Sequence, residues 1–336
     1  MLIKRSPNNF KPDWLLDINK NDIEDINIVK RTEEALAKYI GVKHCSLVCN
    51  GTAAIYLGML SLNLKAGDEI IIPDFGYWSV DLCAKKLGLS IKYVDIKYDT
   101  MCLDPIKVEE NITSKTKAIC FVNHLGYVGE DLVTIRNIAD KYGLIFFEDS
   151  AQGLGQVYNG SMAGTFNNSF GIYSFSGTKL IRTGEGGCLF TNNLSLHQFV
   201  QDARDMGAFN FMMSDLCARL LYSQLLEIDE ILLNRADIFN RYIDAGLQIS
   251  APYTTDKFTG YNASVYLSKK ANKISTYLNA QNIGNRYGFY KTFSNLENSS
   301  SLAKTYIELP CSPLLTDNEI KKIVRTVRFA EKWLLI

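Results

Sequence analysis

From position 44 to 191 the chain alternates between two patterns. Short, densely apolar runs at 45–49, 69–73, 91–94, 117–122, 144–147, 171–175 and 188–191 predict buried strands. Between them, apolar residues return every three or four positions. Ala54, Ile55, Leu57, Leu60 and Leu62 predict a helix over 53–64, and a shorter one follows over 80–87. Leu132, Ile135, Ile138 and Ala139 predict another over 132–142, stopped by Gly143. Ahead of the first strand, Leu36, Ala37, Tyr39 and Ile40 mark an amphipathic helix over 32–40 that ends at Gly41. Residues 1–30 are polar and weakly patterned, and no element is predicted there. Strand and helix alternating at this spacing predict an α/β fold with a mostly parallel, doubly wound central sheet flanked by helices.

The second part of the chain reads differently. One long helical stretch within 207–240 carries Leu216, Leu220, Leu221, Leu225, Leu226, Ile228, Ile231 and Leu232 and is expected to lead out of the large domain. The expected division is 1–235 for a large α/β domain and 236–336 for a smaller α+β one. The smaller one is expected to hold a helix over 271–281 and a polar, aromatic loop over 284–301. A mobile tip at 298–301, a short strand at Leu309-Pro310 and a closing helix over 316–332 complete it.

Composition narrows the functional classes. A chain of 336 residues, 47% hydrophobic, supports two domains with a sizeable core. Lys plus Arg and Asp plus Glu both number 36, so no excess charge points to nucleic acid or an anionic membrane surface. No apolar run has the length of a membrane span, and the first 20 residues lack the apolar core of a signal peptide. The eight cysteines are scattered without a Cys-x-x-Cys pair, and the three histidines are not spaced for zinc. They predict free thiols in a reducing cytoplasm and no metal.

The chemistry concentrates around 173–187. A buried strand ends at Phe175, and Lys179 follows on a turn that Gly184-Glu185-Gly186-Gly187 returns to the next strand. Held between core strands, the Lys179 amine is desolvated, which disfavours its charge and makes it a nucleophile; the alternative is a surface lysine on a hairpin. The glycines allow backbone to approach a ligand closely. Asn50-Gly51-Thr52, between a strand and a helix, reads either as an ordinary N-cap or as a phosphate seat of free backbone N–H groups. Tyr77 and Trp78, beyond a strand end, either stack on a flat ring or join the core. Glu148 and Asp149 close an apolar strand, where a carboxylate needs backbone donors or a cationic partner. In the functional reading Asp149 faces a protonated ring nitrogen. Amine, carboxylate, phosphate seat and stacking aromatic are the four contacts that pyridoxal phosphate requires.

Taken in order, Asn50-Gly51-Thr52-Ala53-Ala54, Gly67-Asp68-Glu69-Ile70-Ile71-Ile72-Pro73, Glu148-Asp149-Ser150-Ala151-Gln152, Ser174-Phe175-x-x-x-Lys179, Gly184-Glu185-Gly186-Gly187 and Gly207-Ala208-Phe209-Asn210 carry a resemblance. They resemble the sugar aminotransferases of the DegT/DnrJ/EryC1/StrS family, fold type I pyridoxal-phosphate enzymes. The resemblance runs from about residue 31 to 245 and thins afterwards. It implies that Lys179 bonds to the cofactor and then moves the proton, that Asp149 pairs with the ring nitrogen, and that Gln152 reaches the phenolic oxygen. It further implies that Tyr77, or its neighbour Trp78, stacks on the ring. Gly51, Thr52, Ala53 and Ser174 would hold the phosphate. Asn210 would reach the phosphate of a neighbouring subunit, implying a homodimer. Met212 and Met213 stand where the family carries a basic residue. In the poorly matching C-terminal part, Tyr287 and Tyr290 are the candidate substrate contacts.

The implied activity is transfer of an amino group from glutamate, through the pyridoxamine form of the cofactor, to a keto sugar on a nucleotide diphosphate. The default acceptor is a 4-keto-6-deoxy hexose, for a surface polysaccharide or a glycosylated metabolite. One alternative is a sugar dehydratase, a lyase on the same scaffold; in that branch the lysine position holds histidine, so Lys179 favours the transferase. Another is a cofactor-holding protein without turnover.

Overall fold

This computed structural model describes residues 27–206, 210–247, 249, 265–312 and 314–333. Seven strands form its central sheet: β1 (His44–Val48), β2 (Glu69–Pro73), β3 (Ser90–Val94), β4 (Thr116–Val122), β5 (Ile145–Asp149), β6 (Gly171–Ser174) and β7 (Gly187–Thr191). Their spatial order is β1-β7-β6-β5-β4-β2-β3. From β3 to β6 every neighbouring pair is parallel, and β7 runs antiparallel to both β6 and β1. This is the mostly parallel α/β sheet that the alternation predicts.

Period-two geometry explains why these strands read as unbroken apolar runs. Along β4, Ala118 and Cys120 pack on one face with Ile70 and Phe147. Ile119 and Phe121 pack on the other with Phe146, Leu132 and Ile135. A strand covered by helices on both sides has no polar face to alternate with. The Gly51–Ser61 helix begins where Asn50 accepts the Ala53 N–H at 2.8 Å. The start of β7 is pressed against that helix: a Cβ at Gly187 would lie 2.5 Å from the Asn50 carbonyl carbon and 2.6 Å from the Gly51 nitrogen. The close approach that this glycine permits is therefore chain on chain.

The expected single helix in 207–240 is two, Asp215–Leu226 and Ile228–Asp244, broken at Glu227 (φ −106°, ψ 15°). The second carries Leu232 into the core around β1 and Ile238, Phe239 and Tyr242 into another core. That second core lies between the Ala271–Ala280 and Asp317–Trp333 helices and a small sheet of Val265–Leu267, Tyr306–Glu308 and Arg286–Tyr287. Two further expectations fail. Residues 298–301 are no mobile tip but lie in the Glu297–Thr305 helix, whose start is held by Asp95 accepting the N–H groups of Asn298 (3.0 Å) and Ser299 (2.9 Å). The strand expected at Leu309-Pro310 ends just before it, at Glu308.

All eight cysteines are free thiols, Cys49 and Cys217 half-buried and the others buried. No helix among the described residues is long and apolar enough to cross a membrane.

Candidate active site

A cavity of about 610 Å³ opens beyond the carboxyl ends of β4, β5 and β6, with Val122, Asp149 and Ser174 in its wall. Parallel α/β sheets gather ligands at this edge, where strand ends and helix starts face a common space.

Alternation along β5 sends Glu148 and Asp149 to opposite faces. Glu148 is fully buried, and its carboxylate takes the N–H groups of Gly164 (3.0 Å) and Phe166 (2.7 Å). Burial pushes its pKa up to about 7 against those two donors. Asp149 lines the cavity and accepts the Ala151 N–H at 3.1 Å. Burial raises its pKa as well, opposed by that N–H and by the charge of Lys179. The two readings that the sequence left open are divided between the neighbours: Glu148 braces backbone, and Asp149 faces the cavity.

Lys179 lines the same cavity, half-buried on the turn after β6, with its N–H donated to the Ser176 carbonyl at 2.9 Å. Its charge is felt at Asp149 and at His124. Gly51, Thr52 and Ala53 bring the helix start to the cavity beside Ser174; a Cβ at Gly51 would stand 3.0 Å from the Ser174 Cβ. The N–H of Ala53 is taken by the Asn50 cap, so in the expected phosphate seat Ala53 offers wall and not a donor. The N-cap reading holds, and it does not conflict with a helix-end seat, because a cap satisfies one of several orphan donors.

Tyr77 lines the cavity with its ring stacked on Phe289 (centroids 5.6 Å apart, planes at 17°). Trp78, 63% exposed, is not among the lining residues. Gln152 is buried in the wall; its Oε1 accepts the Leu125 N–H at 2.9 Å and its amide donates to the Tyr290 hydroxyl. Tyr290 also lines the cavity.

Two expected site residues lie elsewhere. Tyr287 packs against the second core, because it alternates with Arg286 along a strand and Arg286 is the one turned to the cavity. Asn210 is exposed with φ 46° and does not line this cavity; residues 207–209 of its motif are outside the described residues. The methionines in place of a basic residue also stand off the cavity, Met213 buried and Met212 bridged to Val48.

Arg286 and Phe289, which sequence reasoning passed over, and His124 also stand in the wall. The Arg286 guanidinium lies 4.0 Å from the Phe289 ring centroid and 3.8 Å from a Glu308 oxygen. Phe289 extends the stack begun by Tyr77. His124 is buried, with Nε2 2.8 Å from the Phe75 carbonyl oxygen. A carbonyl only accepts, so Nε2 carries the hydrogen. Burial, with Lys179 nearby, lowers its pKa to about 4, so the ring is neutral at neutral pH. Only the aromatic richness of 284–301 signalled this wall, and it did not say which rings face inward.

A helix start, a buried carboxylate, an amine and a partly exposed aromatic ring lining one cavity fit a phosphorylated pyridine aldehyde. The model of the DegT/DnrJ/EryC1/StrS aminotransferase family matches residues 18–328. GDP-perosamine synthase of Vibrio cholerae is 30% identical, covering 89% of this chain and 90% of its own. dTDP-3-amino-3,6-dideoxy-alpha-D-galactopyranose transaminase of Aneurinibacillus thermoaerophilus is 29% identical over 88% of each. The fold is shared with Helicobacter pylori PseC, an aminotransferase involved in the biosynthesis of pseudoaminic acid (TM-score 0.89, 21% identity, 99% of this chain and 100% of that one). This chain belongs to the DegT/DnrJ/EryC1/StrS aminotransferase family, as an enzyme whose cofactor is pyridoxal phosphate.

Proposed function

We propose that this protein moves the amino group of glutamate to the keto carbon of a sugar carried on a nucleoside diphosphate, by default C4 of a 4-keto-6-deoxy hexose, in making a polysaccharide or glycoside. The observation that carries the reading is one cavity walled by Lys179, Asp149, Gln152, Ser174 and the Gly51–Ser61 helix start. Similarity to enzymes named for GDP- and dTDP-linked amino sugars supports the substrate class.

When bound, the cofactor supplies an electron-withdrawing ring that makes the amino donor's Cα–H acidic and stores the amino group between substrates. The residues supply the rest. Lys179 would take the proton from Cα of the donor and return it at the cofactor's C4′. Asp149 would hold the ring nitrogen's proton. Gly51, Thr52 and Ser174 would hold the phosphate at the positive end of the helix. Tyr77 would cover one ring face, and Gln152 would donate to the phenolic oxygen. Arg286 is assigned to the acidic groups of the substrates; Arg286→Ala should raise their KM with little change in kcat. A large domain over 1–235 would hold the cofactor, with 236–336 building part of the substrate side. Asn210, exposed and not among the residues lining its own cavity, would complete the site of a second copy in a homodimer. An Asn210→Ala subunit mixed with a Lys179→Ala subunit should then recover activity that neither has alone. The free thiols suit the cytoplasm, where nucleotide sugars are made.

The test is incubation of the purified protein with glutamate and a panel of 4-keto and 3-keto sugar nucleotides, with mass detection. An amino sugar nucleotide and 2-oxoglutarate are expected. Loss of water without gained nitrogen would point to the dehydratase. Binding without product would leave only a cofactor-holding protein.

A further inference from the structure

One wall of the cavity is built by a segment far from the catalytic motifs, and it is tied down at every step. Lys291–Thr292 pairs antiparallel with Phe75–Gly76. Asp74, fully buried, accepts the N–H of Phe293 (3.0 Å), the N–H and hydroxyl of Ser294 (2.5 and 2.8 Å) and the N–H of Leu296 (2.9 Å). The Tyr306 hydroxyl accepts the N–H groups of Phe289 (3.2 Å) and Tyr290 (3.1 Å). The Tyr290 ring, 4% exposed, is boxed by His124 edge-on at 5.5 Å, Phe75 at 5.6 Å and Tyr306 at 5.6 Å. Nothing in this arrangement lets the hydroxyl swing far. It meets the Gln152 amide.

The orientation of that amide is settled by its other neighbour. Leu125, at φ 54° in the His124–Gly126 turn, points its backbone N–H at Gln152 from 2.9 Å. A backbone N–H only donates, so the carboxamide oxygen must face Leu125 and the NH₂ must face Tyr290. One N–H of that NH₂ is spent on the tyrosine oxygen. The plane of the amide is then fixed by two partners on different segments, and the direction of its second N–H is fixed with it.

We propose that Tyr290 is a positioning residue: by holding the Gln152 carboxamide it keeps an N–H donor aimed at the phenolic oxygen of the bound cofactor. This rests on the assignment of Gln152 to that oxygen. In this role Tyr290, itself in the cavity wall, acts through Gln152. A donor at the phenolic oxygen stabilises its negative charge and weakens its hold on the proton shared with the neighbouring lysine nitrogen, so that proton leaves at lower pH. Without the tyrosine hydroxyl the amide is free to turn, and the proton is retained to higher pH.

The experiment is a pH titration of the visible absorption of the cofactor-loaded protein, with no substrate present, for the parent, Tyr290→Phe, Gln152→Ala and the double variant. Tyr290→Phe should raise the midpoint by about 0.7 pH unit, the equivalent of one ordinary hydrogen bond. Gln152→Ala should raise it at least as much, and the double variant should match Gln152→Ala alone, because the two act in series. An unchanged midpoint in Tyr290→Phe, with or without a lower Tm, overturns the proposal. So do additive shifts, or a change confined to the KM of the sugar. Should Tyr290→Phe fold poorly, hydrogen exchange at the Gln152 side-chain amide of the loaded parent, assigned with Gln152→Glu, decides the matter: protection is expected, and exchange at the free rate overturns it. A parent that shows the titration yet aminates no sugar would defeat the proposed activity and leave this inference standing.

Discussion

The cavity has two walls of different construction. One is made of strand ends and a helix start: Asp149, Ser174, Lys179 and Gly51 occupy places that the central sheet fixes. The other is made of Arg286, Phe289 and Tyr290, on a segment with only two-residue strands of its own. The first wall gets its rigidity from the core beneath it. The second borrows rigidity from buried carboxylates of the first, Asp74 and Asp95, which follow β2 and β3 directly. Chemistry is written on the wall that the sheet builds, and fit on the wall that hydrogen bonds hold in place.

The comparison is broken first by substitutions that take one wall and spare the other. Lys179→Ala should lower kcat by roughly 10³-fold or more while leaving the urea midpoint close to the parent, since it removes a proton carrier and no core contact; turnover at the parental rate would remove Lys179 from the chemistry. Asp74→Ala should do the reverse in kind. Stranding four donors against a buried site costs about 2–4 kcal/mol, read as a lower urea midpoint, with Tyr290 loosened as a consequence. A variant as stable as the parent would mean that the second wall stands without its clamp.

His124 lies where the walls meet, and its effect depends on pH. Its folded pKa of about 4 lies below the ordinary 6.5, so the native state binds fewer protons than the unfolded one. Its stability contribution is complete above pH 6.5 and is lost as pH falls from there towards 4, by up to ~3 kcal/mol. In His124→Gln that part of the acid slope should disappear; an unchanged slope between those values would show that another group carries it. The smallest contrast separates adjacent rings. Tyr77→Ala should weaken cofactor retention about tenfold, whereas Trp78→Ala should change stability by no more than ~0.5 kcal/mol and retention not at all. Equal losses from both would place the stacking surface elsewhere.

The order of strands and helices was legible because the inner strands are apolar on both faces and helices such as Glu130–Lys141 carry one apolar stripe. The catalytic motifs were legible for a related reason. Asp149 ends a strand, and Gly51 and Lys179 stand three and five residues past the end of one, so finding the strand locates the residue. Three things were not legible. The break at Glu227 interrupts an apolar pattern that continues across it, and periodicity does not register a single non-helical residue. Residues 298–301 look like a polar tip because the carboxylate that anchors their helix, Asp95, is some two hundred positions away in sequence. Which of Tyr287 and Tyr290 faces the cavity depends on a two-residue strand, too short for any alternation to show.

The sequence by itself determined the sheet, the family and the residues at the strand ends, because those follow from local pattern and from short motifs whose spacing is kept by one strand and one turn. Only the tertiary structure decided that Glu148 braces backbone while Asp149 faces the cavity, that Arg286 and not Tyr287 turns inward, and that Tyr290 closes on Gln152. Each of those depends on which partner a polar group finds across a long separation in the chain. That partner is chosen by packing, which brings together residues that no local pattern relates.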